Sequence, residues 1–570
     1  MTQGSSKSDV FDVVVVGAGA GGGTMSRVMA GKGAKVALLE AGPKLVPEEE
    51  FKEHDWPYHY DHRGAGPGGA GYFGRGKPFG FMRTTSGGWE LPDEPYTIGA
   101  GSEFVWFRSR IVGGRTNHYG RMSFRLSEWD LKARDRDGVG PNWPVGYVDL
   151  APYYDKAEKF IGVTGTHEGI PSAPDGVFHE PPPPKAHELL VQTTGKKLGI
   201  PFIANRRAVI TRSINGRAAC HYCGQCGRGC LTASAYSASQ VDVFPALKTG
   251  NLTLLTDAMA REVLTNASGK AEGVLYIDRN TRQVKRVLGK AVVLAASTCE
   301  SARILLNSKS KLFPNGLANG SGMVGRNLMD TVGLSVSGYV PALEGMPVYN
   351  TDGFGSSHLY APWWGYNDHA KLGFPRGYHI EFGGGFRMPG VHSGHNAARR
   401  AGYGKRIKEW MRQEYGARVG FAGRGEMIPN RFSYCEIDPA IVDDWGIPVL
   451  RFHFKFSDYE WKQARHMEET FKGIIETLGG RVTGVGNAWE KSGISIGGSI
   501  IHEVGTARMG TDPRSSVLNP YCQAHEVKNL FVTDGSCFVT NPDKNPTLTI
   551  NALSWRAADY LAEAMRKGDV

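Results

Sequence analysis

Several features that mark specialised protein classes are missing from this 570-residue sequence. No run approaches the ~18 apolar residues that a membrane-spanning helix requires. No basic block or aromatic–basic array indicates a nucleic-acid-binding surface, and no segment repeats along the chain. The polar start, MTQGSSKSDV, lacks the charged, apolar and cleavage regions of a secretory signal peptide. What remains is the composition of a globular protein, 41% hydrophobic and 21% charged.

Cysteine is scarce as well, and half of it is concentrated in one loop. The chain has eight cysteines, and their spacing suggests no disulfide framework. We expect the dispersed ones to be small buried hydrophobic residues: Cys299, Cys435, Cys522 and Cys537. The other four lie in ACHYCGQCGRGC with the spacing C-x2-C-x2-C-x3-C: Cys220, Cys223, Cys226 and Cys230.

Glycine and positive charge, by contrast, are abundant. The 77 glycines favour loops whose backbone approaches a ligand closely. The net charge of +10 reflects scattered surface lysine and arginine, or else an anionic substrate, an acidic partner or a membrane surface. Because a single core stops growing near ~250–300 residues, we expect two interlocked domains.

The N-terminal segment DVVVVGAGAGGGTMSRVMAGKGAKVALLEAG predicts a strand, a glycine turn, a helix and a second strand that ends in an acid. Gly17, Gly19 and Gly22 fit G-x-G-x-x-G, and Glu40 lies 18 residues after Gly22. The glycines allow a tight turn, and the helix N-terminus favours a pyrophosphate. Glu40 is placed to accept hydrogen bonds from a ribose. The segment therefore predicts a dinucleotide site and leaves FAD and NAD open.

Three interpretations of the cysteine loop compete. A structural zinc site uses four thiolates, although these usually come as two separated pairs. Disulfides need opposed partners, which one tight loop rarely offers. An iron–sulfur cluster fits the run best, because C-x2-C-x2-C-x3-C is the spacing of bacterial ferredoxins. Leu231 stands where those ferredoxins have proline, and no second run occurs.

Five ordered stretches resemble the glucose-methanol-choline (GMC) family of FAD-dependent oxidoreductases. They are the N-terminal motif and VGGRTNHYGRM, VVLAASTCESARILLNS, GMVGRNLMD and the C-terminal series from HEVGTARMG through TDGS to NPTLT. The resemblance covers nearly the whole chain. It implies an α/β fold in which a Rossmann-like FAD-binding domain is interleaved with a substrate domain built on an antiparallel sheet.

The resemblance also implies roles for individual residues. His502 matches the family's catalytic base, for which an imidazole is suited because its pKa lies near working pH. Asn545 matches the second member of the catalytic pair. The remaining matches are expected to bind the cofactor: Asp534 and Gly535 along the ribityl and diphosphate region, and Gly113, Gly114, Asn117 and His118 along the flavin.

Two positions depart from the family pattern. His118 falls where pyranose oxidases of the family bond a histidine covalently to the flavin, but its neighbours here are Asn117 and Tyr119. We therefore keep both a covalent link and a simple hydrogen-bonding neighbour as hypotheses. Where relatives often place a histidine after GRNLMD, this chain has Asp330 and Thr331, which puts any role of that histidine in doubt.

Within the family, the cysteine loop resembles that of bacterial iron–sulfur sugar dehydrogenases, among them glucoside 3-dehydrogenases. Their three-iron clusters use C-x5-C-x3-C, which Cys220, Cys226 and Cys230 match. Cys223 would complete a four-iron site or remain a spare thiol. A cluster implies a dehydrogenase that exports electrons through the cluster rather than an oxidase.

The function expected from the resemblance is oxidation of a secondary sugar hydroxyl, first at C3 of glucosides. Glucose 1-dehydrogenase, gluconate 2-dehydrogenase and an oxygen-using pyranose-type oxidase are the alternatives. The expected partners are a sugar or glycoside substrate, a cytochrome c-type acceptor and a small export-linked subunit that resembles the small subunit of gluconate 2-dehydrogenase. Such co-export would place the chain in the periplasm; the cytoplasm is the alternative.

The predicted domains alternate along the chain. We assign residues 1–45, 100–150, 205–335 and 495–570 to the FAD-binding domain, with the cysteine loop at 219–231. Residues 46–99, 151–204 and 336–494 form the substrate domain and its excursions. Aromatic and polar stretches such as APWWGY and YHIEFGGGFRMPG fall in the last segment, and carbohydrate sites often combine such residues.

Overall fold

The computed structural model describes residues 10–51, 53, 94–346, 354–355, 357–386, 398–399, 401–487 and 490–570. Most of the predicted segment 46–99 therefore lies outside the described residues. Within them the strands, in chain order, are β1 (Phe11–Val16), β2 (Val36–Leu39), β3 (Thr97–Ile98), β4 (Val163–Thr164), β5 (Phe178–His179), β6 (Ile203–Ala204), β7 (Leu252–Leu255), β8 (Ala258–Thr265), β9 (Ala271–Asp278), β10 (Val284–Leu294), β11 (Val332–Tyr339), β12 (Leu359–Ala361), β13 (Tyr378–Gly384), β14 (Arg418–Gly425), β15 (Tyr434–Val442), β16 (Pro448–His453), β17 (Arg481–Val485), β18 (Glu490–Lys491), β19 (Ile494–Ser495) and β20 (Leu530–Val532).

The α-helices of the same residues surround these strands. They are α1 (Ala20–Gly31), α2 (Pro47–Glu50), α3 (Glu128–Leu131), α4 (Ala133–Asp137), α5 (Tyr147–Ile161), α6 (Ala186–Leu198), α7 (Phe244–Leu247), α8 (Thr298–Asn307), α9 (His369–Leu372), α10 (Lys405–Glu414), α11 (Asp458–Thr477) and α12 (Thr547–Lys567). Among the described helices, none combines the length and the apolar character needed to cross a bilayer.

A seven-stranded sheet forms the nucleotide-binding half. Its order is β7-β2-β1-β10-β9-β8, and β20 also pairs with β10. β7, β2, β1 and β20 run parallel to their neighbours, whereas β8 and β9 form an antiparallel extension. The last four residues of β1 are buried valines, as expected of a parallel strand covered on both faces. α1 and α12 pack together over the sheet.

A six-stranded antiparallel sheet forms the other half, in the order β17-β11-β14-β13-β12-β6. α11 covers one of its faces. There Gly423 and Gly425 of β14 leave room for Met467, because a Cβ at either position would lie within 3 Å of that side chain. Phe421 also packs on Phe471 of α11. Alternate residues of β13 and β14 project from the opposite face.

The two sheets therefore draw on different parts of the chain. The first takes its strands from residues 11–39, 252–294 and 530–532, and the second from 203–204 and 332–485. This is the Rossmann-like sheet and the antiparallel sheet that the sequence predicts, interleaved along the chain. The exact domain boundaries stay a prediction.

The turn between β1 and α1 depends on glycine because backbone fills the space beside it. Gly17 has φ +96°, and a Cβ there would lie 2.4 Å from the Ala295 carbonyl oxygen. A Cβ at Gly22 would lie 1.8 Å from the carbonyl oxygen of Gly17. At Gly19, the residue before α1, no atom of the described residues beyond its two chain neighbours lies within 4 Å of such a Cβ, so a side chain fits at this position.

We predict that Gly22→Ala destabilises the protein, whereas Gly19→Ala does not. The added methyl group at position 22 forces the turn apart, and overpacking of this kind costs about 1–3 kcal/mol or more. Thermal unfolding of the cofactor-free protein, followed by circular dichroism, measures the difference. Equal melting temperatures for both variants and the wild type would contradict this account of the turn.

Candidate active site

A cavity of about 470 Å³ joins the two halves of the molecule. One end lies at the β1–α1 turn and Glu40, and the other lies at His502 and Asn545 under the antiparallel sheet. The walls between them come from 107–122, 258–260, 295–304, 500–503 and 534–535. The sequence motifs, which are far apart along the chain, therefore meet around one space.

The nucleotide end is built by backbone groups and one acid. Gly17 and Gly19 line the cavity, while Gly22 lies behind it in the first turn of α1. The Glu40 carboxylate accepts hydrogen bonds from the amides of Ala18 and Gly42, both at 3.0 Å. Burial raises the pKa of Glu40 to about 7, and the two backbone amides oppose that rise. Glu40 thus fixes the turn from within the cavity wall.

Asp534 and Gly535 line the middle of the cavity. The Asp534 carboxylate accepts hydrogen bonds from the Ser297 amide at 3.1 Å, the Ser536 amide at 2.9 Å and the Ser301 hydroxyl. Burial raises the pKa of Asp534, although these donors oppose the rise. The acid therefore ties the loop after β20 to the start of α8.

The stretch from Gly113 to His118 forms a second wall. Gly113 (φ +91°) and Asn117 lie behind the surface rather than on it, whereas Gly114 and His118 line the cavity. The Asn117 amide donates to the carbonyls of Val112 (3.0 Å) and Gly114 (2.9 Å). Asn117 therefore stabilises the turn that places Gly114 and His118 on the cavity wall.

His118 lies 2.7 Å from the Ser109 hydroxyl through Nε2. Burial, together with the nearby Arg121 and Arg115, keeps the pKa of His118 well below its usual value. A neutral imidazole thus faces the space in which a cofactor would lie. The covalent-link hypothesis stays a prediction.

His502 and Asn545 stand side by side at the other end. The Asn545 amide nitrogen is 3.2 Å from His502 Nε2, and the Thr331 hydroxyl is 3.0 Å from Nδ1. An amide N–H donates, so this arrangement assigns the lone pair to Nε2 and the proton to Nδ1. Burial, with Arg424 next in effect, lowers the pKa of His502 to about 3. The imidazole is therefore neutral at ordinary pH, and its Nε2 lone pair accepts from the Asn545 amide. A pKa this low makes it a weaker base than the pKa near working pH expected from the sequence.

Two residues that sequence analysis treated only as a departure hold this histidine. Asp330 accepts hydrogen bonds from the amides of His502 (2.9 Å) and Ile500 (3.1 Å), and Thr331 contacts the ring. Burial and the neighbouring Glu503 raise the pKa of Asp330 to about 7. The sequence signal for both residues was their position directly after GRNLM.

A charged pair beside Asn545 was not predicted individually. Glu381 of β13 and Arg424 of β14 line the cavity and form an ion pair of 3.0 Å. Glu381 lies within the polar stretch YHIEFGGGFRMPG, but the cross-strand register that places it beside Arg424 cannot be obtained from that pattern. The Asn545 amide nitrogen lies 3.4 Å from Glu381 Oε1.

The cysteine loop packs behind the wall that carries His118. Arg121 donates to the carbonyls of Cys226, Tyr119 and Asn117 and so joins the loop to that wall. Among the described residues, one group of three metal-type ligand atoms lies within 4.8 Å of one another, namely Glu53, His221 and Cys223. The four thiols are therefore not gathered at the spacing of a mononuclear tetrathiolate zinc site.

The chain is similar to known proteins over most of its length. Two family models, both described as GMC oxidoreductase, match residues 11–332 and 430–554. The 2-methyl-1,2-propanediol dehydrogenase of Mycolicibacterium austroafricanum is 30% identical over 98% of this chain and 96% of its own length. The fructose dehydrogenase large subunit of Gluconobacter japonicus is 26% identical over 98% of both chains. Pyridoxine 4-oxidase from Mesorbium loti has the same fold, with TM-score 0.61, 16% identity and coverage of 97% and 99%.

The geometry around His502 predicts a positioning role for Thr331. Thr331→Val removes the hydroxyl that fixes Nδ1 while keeping the side-chain volume, so the ring is free to turn and change tautomer. We expect kcat to fall about tenfold, less than the ~10²–10⁴-fold that general acid–base catalysis contributes, because His502 itself remains, and we expect cofactor content to be unchanged. Thr331→Ser restores the hydroxyl and should restore kcat. Steady-state kinetics of the wild type, Thr331→Val and Thr331→Ser measure the effect. A valine variant with the wild-type kcat would refute the positioning role of Thr331.

Proposed function

Since the chain belongs to the GMC oxidoreductase family, an FAD-dependent family acting on CH–OH groups, we propose that it is a dehydrogenase for a secondary hydroxyl of a sugar or glycoside. Position C3 of glucosides is the first candidate. The observation that carries the proposal is the neutral His502 beside Asn545 at one end of a cavity whose other end is a glycine turn.

The cavity is suited to FAD. The N-terminus of α1 has no side-chain cap, and Gly19 leaves open space in front of it, as a diphosphate requires. Glu40 lies at the carboxyl end of β2 on the same wall, where a ribose is expected. When bound there, FAD supplies the acceptor for the hydride that leaves the substrate carbon.

The chain's own residues supply the proton chemistry. A substrate hydroxyl between His502 and Asn545 donates its proton to Nε2 and accepts a hydrogen bond from the Asn545 amide. Because the imidazole is neutral, Nε2 can take that proton, although a pKa of about 3 opposes the uptake. The side-chain oxygen of Asn545, Oδ1, is buried and has no hydrogen-bond partner among the described residues. It can therefore accept a hydrogen bond from a second substrate hydroxyl. Thr331 keeps the Nδ1 proton in place throughout.

The proposed function is tested by anaerobic mixing of the holoenzyme with methyl glucoside, whose C1 hydroxyl is blocked. Bleaching of the flavin absorbance supports oxidation at a ring hydroxyl, and identification of the keto product locates it.

We predict that His502→Ala binds FAD but slows the bleaching of the flavin by methyl glucoside at least ~10²-fold, the usual scale for a lost general base. An unchanged rate in that variant would show that another group is the base, and bleaching only by glucose or gluconate would favour oxidation at C1 or C2.

We also propose that the cysteine loop holds an iron–sulfur cluster. The sulfur atoms of Cys220, Cys226 and Cys230 accept hydrogen bonds from the amides of Tyr222 (3.4 Å), Gly355 (3.4 Å) and Ala235 (3.5 Å). Backbone amides directed at sulfur are one means by which proteins tune such clusters. Cys223 also lies 3.9 Å from a Glu53 oxygen, so it serves as a fourth ligand or remains a thiol.

Buried positive charge supports this second proposal. Arg207 is buried, and its Nε and one terminal nitrogen have no hydrogen-bond partner among the described residues. Burial lowers the pKa of Arg207, and Cys226 is the neighbour that most opposes this. A thiolate-ligated cluster would provide negative charge beside it. Such a cluster would carry single electrons from the flavin towards a protein acceptor.

The proposed acceptor is a cytochrome c-type protein, reached with the help of a smaller partner subunit. The fructose dehydrogenase relative is named as a large subunit, which supports assembly with further subunits. Export to the periplasm together with such a partner is part of the same proposal. Co-purification of the chain from its native cells, followed by identification of stoichiometric partners, tests the proposed subunit and the proposed acceptor.

Replacement of one cysteine separates the cluster from the flavin chemistry. We predict that Cys226→Ser loses iron and its low-temperature EPR signal, keeps flavin reduction by substrate and stops electron transfer to cytochrome c. The matched control is Cys299→Ala, which alters a buried cysteine of α8 outside the loop. We expect this variant to keep its iron and EPR signal, flavin reduction and electron transfer to cytochrome c. Cytochrome reduction that survives in Cys226→Ser would mean that electrons do not pass through the loop.

A further inference from the structure

The Glu381–Arg424 pair occupies the sheet face above the cavity, and the proton chemistry of His502 does not use it. His379 of β13 pairs directly with Arg424 of β14, and Glu381 lies two residues further along β13. These three side chains therefore share one face. Glu381 Oε2 contacts Arg424 at 3.0 Å, while Oε1 lies 3.4 Å from Asn545 and 3.5 Å from His379 Nε2.

Both members of the pair are charged. Burial raises the pKa of Glu381, but Arg424, with His379 and His502, outweighs it and holds that pKa well below the usual range. A buried ion pair is costly unless its remaining hydrogen-bonding capacity is satisfied. The carboxylate can only accept and the guanidinium can only donate, and both border the empty space of the cavity.

We propose that Glu381 and Arg424 bind a hydroxyl adjacent to the reacting one, so that the substrate class is neutral molecules with vicinal hydroxyls. This inference rests on the proposed function. Because Asn545 contacts both His502 and Glu381, one small molecule reaches both places at once. A hydroxyl donates to Glu381 and accepts from Arg424, which no single alkyl group, carboxylate or ammonium group can do.

The same argument predicts what the site rejects. An alkyl group in this position would displace water from Glu381 and Arg424 without replacing the lost hydrogen bonds. Buried polar sites discriminate strongly against substrates that leave their groups unpaired in this way. A carboxylate would be repelled by Glu381, and an ammonium group by Arg424. The pair therefore acts on specificity and on binding, in addition to the influence of its charges on the pKa of His502.

Two alcohols that differ by one hydroxyl test the proposal: cyclohexanol and trans-1,2-cyclohexanediol. Anaerobic flavin reduction by the holoenzyme gives kcat/KM for each. We expect the wild type to prefer the diol at least about tenfold, the value of one hydrogen bond to a charged group. Glu381→Gln keeps the size but removes the charge, and Arg424→Gln removes the donor fork. Either substitution should reduce the preference to within about twofold.

The control is Glu414→Gln, which removes a carboxylate paired with Arg418 at the far end of β14. We expect it to keep the wild-type preference for the diol. Flavin content and circular dichroism confirm that each variant is folded. A wild type without preference would overturn the proposal, as would variants that slow both alcohols by the same factor, since that pattern belongs to a positioning role. If neither alcohol nor methyl glucoside bleaches the wild-type flavin while dithionite does, the proposed function itself fails.

Discussion

The reacting end of the cavity depends on how one short segment, residues 500–507, is held between the two halves of the molecule. Its Val504 pairs with Met329 through two backbone hydrogen bonds of 2.9 and 3.0 Å. On the other side, Gly505 and Ala507 donate to the carbonyls of Gly535 and Ser536. His502 is thus fixed to the start of the antiparallel sheet and to the loop after β20 at the same time. Any shift between the halves would move the base relative to the cofactor space.

That constraint explains why Asp330 and Thr331 matter although neither was predicted to. Asp330 and Thr331 directly precede β11, so the segment that leads into this strand of the antiparallel sheet also contacts His502. Asp330 satisfies the amides on either side of Ile501, whose φ of +66° is unusual for a β-branched residue. An acid that bridges two amides stabilises this conformation, and burial raises its pKa to about 7, so that it is only partly ionised near neutral pH.

The nucleotide half could be predicted from the sequence because its signals are local. Strand, glycine turn, helix and acid follow one another within residues 11–40, and each has a fixed physical meaning. His502 and Asn545 were expected to act as a pair only through the family resemblance, and the structure places the two side chains 3.2 Å apart. Glu381 and Arg424 could not be predicted, because they meet only through the register of β13 on β14, which pairs His379 with Arg424. A slip of one residue between the two strands would place the two side chains on opposite faces of the sheet.

The cysteine loop shows how a second redox site would be joined to the first without sharing residues with it. Arg121 donates to the carbonyls of Asn117, Tyr119 and Cys226, and a Cβ at Gly227 would lie 3.9 Å from the His118 carbonyl oxygen. The loop therefore rests on the rear of the wall whose front faces the cofactor space. If the loop holds the proposed cluster, electrons would leave across a few backbone atoms, while the proposed proton chemistry would stay at the other end of the cavity, under a different sheet. An oxidase passes electrons to oxygen without such a cluster, so a cluster bound in this loop would favour the dehydrogenase that we propose.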